Sequence, residues 1–544
     1  YNEEFENGNG GWISHGVVDV NQVPIDSTSW KLKQPDGFLI RNSNGNAWIT
    51  DNSDNASRTN TDVNYNNNEQ SYVESPCFDI GGLNKPMISF RYWSDTDQGS
   101  DGVSLLYTID DGKTWTRLGE KDLGIDWYDT RPILGAPGDG SSSVTNNANP
   151  GNEGWSGRND TEDGSWKTAR FSLTSVLIAM QQQGITTNRV VRFRMVFGSN
   201  GDNPPGEQFD GFAFDGVRIS NRNRIVLLEY FINAGTTNAA ALDLEARRFP
   251  DDGNNNEVIS IHNHTDFPGA DDINAKNDKD PSARAFYHGI RDIPRGVLDG
   301  YTRDEVLGKW ATDLFADRTL IPSPFLITIN QPTVANNQLS VSADIQALEA
   351  FDRKVVMHVV VIDSVTTANG QTFYNATRKF LPDAAGTYWD TPWASGDVQS
   401  LSFNWDVGDL DPTNFRVVVF IEDYETREVH QAGVLSVNGN RQGTNGGNQV
   451  EHVTGVNDPL PNTKMMLYPN PATSYLQVKL ETEKPLSNQA YWQVINIQGQ
   501  VMQSGAWVFN QRSKQLNVGS LAEGVYILQI FDGEKAIQQR FERK

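Results

Sequence analysis

The sequence predicts a multidomain, mainly β protein with one α/β portion. Short alternating segments rich in β-branched and aromatic residues recur along the chain between Asn, Asp, Gly and Pro residues, for example at 87–93, 190–197 and 416–421. This period-two pattern is typical of strands. Helical patterns are few, at 173–183, 237–248 and 303–315. The chain has 544 residues, and one hydrophobic core serves roughly 250–300 residues, so we expect several domains.

These patterns divide the chain into five segments. Residues 1–222 carry many strands joined by long polar loops. Residues 223–322 alternate strand and helix and form the α/β portion, and residues 323–440 return to strands. A Gly- and Asn-rich stretch predicts a flexible linker at 441–463. A last strand-rich segment covers 464–544.

The charge balance limits the classes of partner. The formal net charge is -24, from 45 Lys and Arg against 69 Asp and Glu. Such a surface repels nucleic-acid phosphates and anionic lipid heads, so we expect no nucleic-acid partner. No apolar run approaches the roughly 20 residues of a membrane helix, so we expect no transmembrane segment. The chain opens at Tyr1 without Met, and we expect a removed signal peptide before it.

The chain has one cysteine, Cys77, so an intramolecular disulfide cannot form. Domains above roughly 100 residues bury enough apolar surface to fold without disulfides. Cys77 lies in a segment, 72–80, that is typical of a strand. We therefore expect its side chain to be a buried packing thiol.

A hairpin motif with the pattern Thr-x-Asp-x-Gly-x-Thr-Trp consists of Thr108, Asp110, Gly112, Thr114 and Trp115. The Asp110 carboxylate can accept hydrogen bonds from the turn, Gly112 supplies a positive φ, and Trp115 packs beneath. The pattern resembles the Asp-box of many secreted β proteins. In those proteins it is a folding device, so we assign it no catalytic role.

The first and last strands of residues 1–222 carry the carboxylates of Glu6, Asp210 and Asp215. Both ends of the segment, 4–12 and 209–219, resemble jelly-roll domains of the MAM and laminin-G-like type. Those domains sometimes hold calcium between their first and last strands. The resemblance therefore implies calcium as a cofactor, with the three carboxylates as oxygen ligands. The alternative is that these carboxylates cap turns.

A jelly roll can also bind a ligand on its concave face. Aromatic side chains stack on sugar rings, and four tryptophans of this segment are candidates, namely Trp93, Trp115, Trp127 and Trp155. The alternative is that these rings form the core. We expect a surface glycan or a peptide as the ligand. Catalytic carboxylates cannot be assigned, because acidic residues occur throughout the segment.

Residues 223–322 follow the order strand, helix, strand. An apolar strand at 225–231 precedes a helix at 237–246, and a second strand lies at 257–262. With residues 284–300, these segments resemble the thioredoxin-like family of outer-membrane and secreted proteins of Bacteroidetes, and the resemblance runs to about residue 437. It implies a thioredoxin-like domain that has Pro294 as its cis proline and is packed on a β-sandwich.

The position at which that family places a Cys-x-x-Cys pair carries no cysteine here. Thr236 and Ala239 stand where the resemblance puts the two thiols. Thiol–disulfide exchange requires an attacking thiolate and a resolving thiol, so we expect a redox-inactive domain. Such a degenerate site can persist as a groove in which the loop of Pro294 pairs with an extended peptide.

Three histidines of this portion suggest a zinc site. His262 and His264 alternate at a strand end, so their side chains share one face, and His288 follows further along the chain. Zinc requires three or four protein ligands. The alternative is that the segment around His264 is the ordinary pattern of the thioredoxin-like family.

Residues 464–544 contain the most specific motifs. The segment begins with Tyr-Pro-Asn-Pro, continues to a strand opened by Gly-Val-Tyr, and ends in a basic tail. Turn prolines between alternating strands predict a small antiparallel sandwich. The motifs resemble the type A sorting domain of Bacteroidetes type IX secretion cargo, through Tyr468, Pro469, Asn470, Pro471, Gly524, Tyr526 and Lys544.

This resemblance implies that the folded protein crosses the outer membrane. The type IX translocon and its shuttle proteins are then the partners that recognise residues 464–544. In that family the domain is commonly cleaved, and the cargo is released or anchored at the cell surface. The alternative is an ordinary immunoglobulin-like module.

We therefore predict an extracellular protein, or one on the outer face of the outer membrane, that acts by binding or as a structural part, as in adhesion. We assign it no catalytic residue and expect no thiol–disulfide oxidoreductase activity. One alternative is an extracellular hydrolase that acts through the jelly-roll domain. Another is a component of a secretion or surface complex that retains its sorting domain.

Overall fold

The computed structural model describes most of the chain. The described residues are 1–16, 28–35, 45–51, 65–138, 152–159, 166–185, 187, 189–201, 209–249, 257–302, 307, 309–437, 463–482, 486, 490–496, 501–507, 512–532 and 535–544. The predicted linker lies outside them except for its last residue. The chain divides into two compact units, Tyr1–Arg224 with Lys309–Pro322, and Ile225–Gly308 with Ser323–Lys544.

The first unit consists of strands and two helices. Its elements are β1 (Asn2–Glu3), β2 (Ile13–Gly16), β3 (Trp30–Lys33), β4 (Ala47–Thr50), β5 (Gln70–Glu74), β6 (Phe78–Asp79), β7 (Pro86–Asp95), β8 (Gly102–Thr108), β9 (Thr116–Arg117), β10 (Lys167–Ser172), α1 (Thr174–Gln182), β11 (Val190–Gly198), β12 (Gly211–Asn221) and the helix Lys309–Leu320. One sheet has the order β10-β7-β12-β4-β3, with β1 on β12, and the other has the order β2-β5-β11-β8-β9, with β6 on β11. The strands predicted at 87–93 and 190–197 are confirmed as parts of β7 and β11.

The inward side chains of both sheets share one core that is rich in aromatic rings. Alternation along β5, in which Ser71 and Val73 are buried between half-buried neighbours, shows how period two separates the faces. Trp93, Trp127 and Trp155 are only 2%, 5% and 0% exposed. Their burial supports the alternative that these three rings are core residues, and it leaves them unable to stack on a sugar. They pack in the interior, because burying such large apolar surfaces is strongly favourable.

The second unit begins with the α/β portion and continues into strands. Its elements are β13 (Val226–Ile232), α2 (Ala239–Arg247), β14 (Val258–His264), a 3₁₀ turn (Asn274–Lys276), α3 (Lys279–His288), β15 (Arg295–Leu298), β16 (Tyr301–Thr302), β17 (Phe325–Ile329), β18 (Thr333–Ala335), β19 (Gln338–Ala347), β20 (Val355–Ala368), β21 (Gln371–Leu381), β22 (Thr387–Trp389), β23 (Val398–Asp406), a 3₁₀ turn (Pro412–Asn414), β24 (Phe415–Asp423) and β25 (Val429–Ser436). The strand predicted at 416–421 is confirmed within β24.

One sheet of this unit has the order β16-β15-β13-β14-β21-β20-β24-β25, with β22 on β20. β13 runs parallel to β14 and antiparallel to β15. Both β13 and β14 are buried along their whole length, as expected for strands covered on two faces. The helix α2 is confirmed where the Ala-rich pattern predicted it, and α3 ends at Gly289, whose φ of 69° suits a glycine cap.

A second, smaller sheet has the order β17-β19-β18, with β23 on β19. Its inner side chains share an apolar core with β20 and β24, through residues such as Ile345, Val359 and Val419. Strand-to-strand pairing dominates both units, so the predicted mainly β class is confirmed, and the described helices are short.

The C-terminal residues of the second unit form two sheets around a separate apolar cluster. The strands are β26 (Thr463–Tyr468), β27 (Tyr475–Thr482), β28 (Tyr491–Asn496), β29 (Val501–Ala506), β30 (Ser513–Asn517), β31 (Gly524–Asp532) and β32 (Lys535–Arg543). The sheet orders are β26-β27-β30 and β29-β28-β31-β32, and all pairs are antiparallel. This arrangement agrees with the antiparallel sandwich that the motifs predicted.

Candidate functional site

The Tyr-Pro-Asn-Pro motif forms a turn at the end of β26. Tyr468 is the last residue of this strand, and the peptide bonds that precede Pro469 and Pro471 are both cis. The Tyr468 side chain is 51% exposed, and Asn470 is exposed beside it. The turn therefore presents a tyrosine ring to solvent, and tyrosine is a residue type that protein interfaces favour.

The other motif residues build the frame behind this turn. Gly524 opens β31, and Tyr526 is buried, with its ring stacked on Phe541 at a centroid distance of 5.7 Å. The Lys544 N–H donates a hydrogen bond to the Ala472 carbonyl at 2.9 Å. The structure therefore brings the turn and the end of the chain together, whereas Tyr526 belongs to the core.

The segment in place of a Cys-x-x-Cys pair lies before α2. Thr236 is half-buried, and its hydroxyl donates to the Asn233 carbonyl at 2.9 Å. Ala239 is buried and begins the helix. The Ile293–Pro294 peptide bond, just before β15, is cis. A hydroxyl and a methyl group thus occupy the positions that the resemblance gave to thiols, and neither performs thiol exchange.

Sequence reasoning missed a buried ion cluster in the same unit. Arg284 on α3 lies between Glu229 on β13 and Glu422 on β24. Its Nε donates to Glu229 Oε2 at 3.0 Å, and its Nη2 donates to Glu422 Oε2 at 3.0 Å. The His288 ring lies 2.9 Å from Glu229 Oε1, and the Tyr287 hydroxyl donates to Glu422. Each of the three paired charges is 2% exposed or less.

The charges of Glu229 and Arg284 stabilise each other. Burial disfavours a charge on Glu229, but Arg284 and His288 together lower its pKa below the ordinary value. Burial likewise opposes the charge on Arg284, and the two carboxylates nevertheless raise its pKa. The sequence signal for this cluster was Glu229, a charged residue inside the apolar strand 225–231. Glu422 on β24 lies 138 residues from Arg284, so no local pattern reveals that it belongs to the cluster.

His262 and His264 lie on one face of β14, as predicted, but each pairs with its own carboxylate. His262 Nδ1 is 2.6 Å from Asp243 Oδ1, and His264 Nδ1 is 2.8 Å from Asp271 Oδ2. Burial opposes the charge on Asp271, and the hydrogen bond from His264 nevertheless lowers its pKa. Within the described ranges, no group of three or more His, Cys, Asp and Glu side chains is placed to hold a metal ion. The three histidines therefore form no zinc site there.

The Asp-box hairpin connects β8 to β9. Asp110 Oδ1 accepts from the Thr114 N–H at 2.9 Å, and its Oδ2 accepts from the Thr114 hydroxyl at 2.7 Å. The Thr108 hydroxyl donates to the same carboxylate at 2.8 Å. The bonds from Thr114 lower the pKa of Asp110 to about 2. Gly112 has a φ of 84°, and Trp115 is half-buried. These contacts stabilise the turn, and both oxygens of the Asp110 carboxylate accept hydrogen bonds within it.

The carboxylates proposed for calcium have other surroundings. Asp215 pairs with Arg91 and accepts from the Gly216 N–H at 2.6 Å, and burial raises its pKa to about 6. Asp210 is buried, whereas Glu6 is exposed. Calcium requires six to eight oxygen ligands. The described residues give these three carboxylates no such shared set.

The expectation of a buried thiol at Cys77 is wrong, because this side chain is exposed. The predicted strand at 72–80 is interrupted, with β5 ending at Glu74 and β6 covering Phe78–Asp79. Pro76 lies in the gap and lacks the N–H that would continue the pairing. Because β5 and β6 both pair with β11, the chain continues along that strand across the gap, and Cys77 is exposed there.

Comparison with known proteins identifies the C-terminal part. Residues 466–542 match the family described as a secretion system C-terminal sorting domain. No curated protein matches the chain. The sorting domain, which is of the type IX kind, indicates export to the cell surface or the extracellular space. None of the helices in the described part of the chain has the length and apolar character of a membrane span.

Solved structures of Porphyromonas gingivalis surface proteins are similar to parts of the chain. HBP35 is 15% identical with a TM-score of 0.33, over 59% of this chain and 98% of that one. The K1 cleaved adhesin domain of Lys-gingipain is 14% identical with a TM-score of 0.21, over 41% of this chain and 97% of that one. A domain of the outer membrane lipoprotein Omp28 is 13% identical with a TM-score of 0.17, over 21% of this chain and 88% of that one. Likenesses this distant assign no function.

Proposed function

We propose that this protein is type IX cargo that acts outside the cell by binding, and that its α/β portion is a thioredoxin-like frame without exchange chemistry. The sorting domain at 466–542 carries the export part of the proposal. The partners in this proposal are the translocon and its shuttle proteins, which recognise residues 464–544. The part of the protein that the sorting domain exports consists of the two β-sandwiches and the α/β portion.

Support for the thioredoxin-like frame comes from strand order. Four strands follow one another as β16-β15-β13-β14, with β13 parallel to β14 and antiparallel to β15. The helix α2 links the parallel pair, and α3 precedes β15, which is the order expected of a thioredoxin-like domain. Thr236 lies just before α2, and Ala239 is its first residue. The single cysteine of the chain lies elsewhere, so a dithiol cannot form.

Support for a binding role of residues 1–222 comes from the outer face of the sheet β2-β5-β11-β8-β9. The Arg194 guanidinium lies 4.0 Å from the Tyr72 ring centroid and 3.8 Å from that of Trp115. Glu74 pairs with Arg192 at 2.5 Å and with Arg194 at 2.7 Å. Aromatic rings beside paired charges offer both stacking and hydrogen bonds to a glycan or peptide. We propose this face as the ligand surface in place of the buried tryptophans.

The export part is tested by deleting residues 464–544 and comparing the variant with the full chain in its native cells. Loss of the protein from the surface and medium, with accumulation inside, is the expected result. Equal export of both forms would contradict it. The binding part is tested with glycan and peptide arrays on the full chain and its Trp115→Ala and Arg194→Ala variants. A ligand that both variants lose supports the proposed face, and a ligand that both retain contradicts it.

A further inference from the structure

The last strand of the sorting domain is paired on both of its edges. One edge of β32 pairs with β31 from Lys535 to Arg543. On the other edge, the Ala472 N–H donates to the Glu542 carbonyl at 2.7 Å, and the Lys544 N–H donates to the Ala472 carbonyl at 2.9 Å. Ala472 thus pairs in parallel with Arg543. The residue that follows the Tyr-Pro-Asn-Pro turn therefore serves as a short additional strand.

Asn470 extends this pairing through its side chain. Its Oδ1 accepts from the Glu542 N–H at 2.9 Å, and its Nδ2 donates to the Arg540 carbonyl at 3.2 Å. Proline has no N–H, so Pro469 and Pro471 cannot donate to a neighbouring strand. A side-chain amide carries one acceptor and one donor group, which is the pair that a strand residue presents with its backbone. The side-chain amide of Asn470 therefore makes the hydrogen bonds to β32 that the backbone of the two prolines cannot make.

We propose that Asn470 is a positioning residue that joins residues 468–472 and 540–544 into one recognition surface for the export machinery. This inference rests on the proposed export through residues 464–544. An unpaired strand edge invites the addition of a partner's strand. Here the edge at 540–544 is occupied by Asn470 and Ala472. The partner therefore reads the side chains of a folded surface and does not add a strand at this edge.

The charge of this surface defines the partner further. Residues 463–544 contain nine Lys and Arg and six Asp and Glu, whereas the whole chain contains 45 and 69. Within 540–544, Arg540 and Lys544 are exposed and Glu542 is half-buried, and Asn470 of the Tyr468 turn donates to the Arg540 carbonyl. A basic surface of this kind fits an acidic partner surface with a site for an aromatic ring.

The first test measures the pairing of Asn470 with β32 in the purified full-length protein, by hydrogen–deuterium exchange of residues 540–544. Asn470→Ala removes two hydrogen bonds from β32, and we expect exchange there to become about fivefold to tenfold faster. Tyr468→Ala and Arg540→Glu leave the backbone bonds in place, so exchange is expected to stay at the wild-type rate. Thr473→Ala, in the same turn but without a bond to β32, is the matched control. Unchanged exchange in Asn470→Ala would overturn the inference.

The second test measures export of the same variants in the native cells. We expect Asn470→Ala, Tyr468→Ala and Arg540→Glu each to lower the exported fraction at least severalfold, and Thr473→Ala to leave it unchanged. If Tyr468→Ala is exported less but shows wild-type hydrogen–deuterium exchange, the export machinery recognises the tyrosine itself, and the loss does not come from a change in folding. Export of Asn470→Ala at the wild-type level, or of both Tyr468→Ala and Arg540→Glu at that level, overturns the inference. Normal export of the deletion of 464–544 would instead overturn the proposed function.

Discussion

The interiors of the two units contain side chains that are buried to a similar extent but differ in chemistry. In the first unit, Trp155 lies among Phe90, Trp127 and Tyr128, at centroid distances of 5.4, 5.1 and 4.7 Å. In the second unit, Arg284 occupies a comparable depth and is surrounded by carboxylates. The first interior is held by contacts between apolar rings, which weaken gradually when a ring changes shape. The second unit has apolar cores as well, but around Arg284 its stability depends on charge balance, which fails when one member of the cluster is removed.

This difference predicts the largest effect for a change in the ion cluster. Arg284→Met leaves Glu229 and Glu422 buried without their cation, and removing one partner of a buried ion pair costs about 3–5 kcal/mol. We expect the free energy of unfolding of the second unit to fall by this amount in denaturant titrations. Arg192→Met is the matched control, because Arg192 pairs with Glu74 in a half-buried position of the first unit, where Arg194 still pairs with Glu74 after the change. We expect it to cost less than about 1 kcal/mol. Equal effects of the two variants would break the comparison.

A buried carboxyl group should make the first unit sensitive to rising pH. The Tyr65 hydroxyl donates to Asp101 Oδ2 at 2.8 Å, the Asn200 N–H donates to Oδ1 at 2.7 Å, and burial raises the pKa of Asp101 to about 7. Between about pH 4 and 7 the unfolded chain loses this proton while the folded chain keeps it, so stability falls as pH rises. We expect Asp101→Asn to remove up to about 4 kcal/mol of this dependence in thermal or denaturant unfolding. A wild-type slope in the variant would contradict the assignment.

The second unit should show the opposite dependence. His358 stacks on Phe420 at 4.5 Å, and its ring nitrogens have no hydrogen-bond partner among the described residues. Burial, with Arg284 nearby, lowers the pKa of His358 to about 4. The unfolded chain therefore binds a proton first, and stability is lost as pH falls from about 6.5 through 4. We expect His358→Phe to remove up to about 3 kcal/mol of that loss, measured as the difference from wild type. A loss of equal size in both proteins would exclude His358 as its source.

The smallest effect is expected for a conservative change in the aromatic core. Trp155→Phe keeps most of the ring packing but leaves a cavity and removes the hydrogen bond from the indole N–H to the Asp126 carbonyl, which is 3.0 Å long. We expect a loss of about 2 kcal/mol in the free energy of unfolding of the first unit. A loss as large as that of Arg284→Met would show that the two interiors respond alike.

The sequence predicted the local features and missed the long-range ones. Strands such as β7 and β24, the helix α2 and the sorting motif follow from short patterns, because period and turn chemistry are local. The ion cluster joins residues that lie 55 and 138 positions apart, and only the sheet order brings them together. Asn470 likewise was visible as a motif residue, but its two hydrogen bonds to β32 join residues that lie 70 and 72 positions apart. The buried tryptophans show that aromatic composition alone does not separate core from surface.

The most direct test of the account is the intact mass and location of the protein recovered from its native cells, separated into cell interior, surface and medium. The account predicts that most of the protein lies at the surface or in the medium. A mass without residues 464–544 would identify processed cargo, and a full-length mass would identify a component that retains its sorting domain. Confinement of the protein to the cell interior would contradict the account.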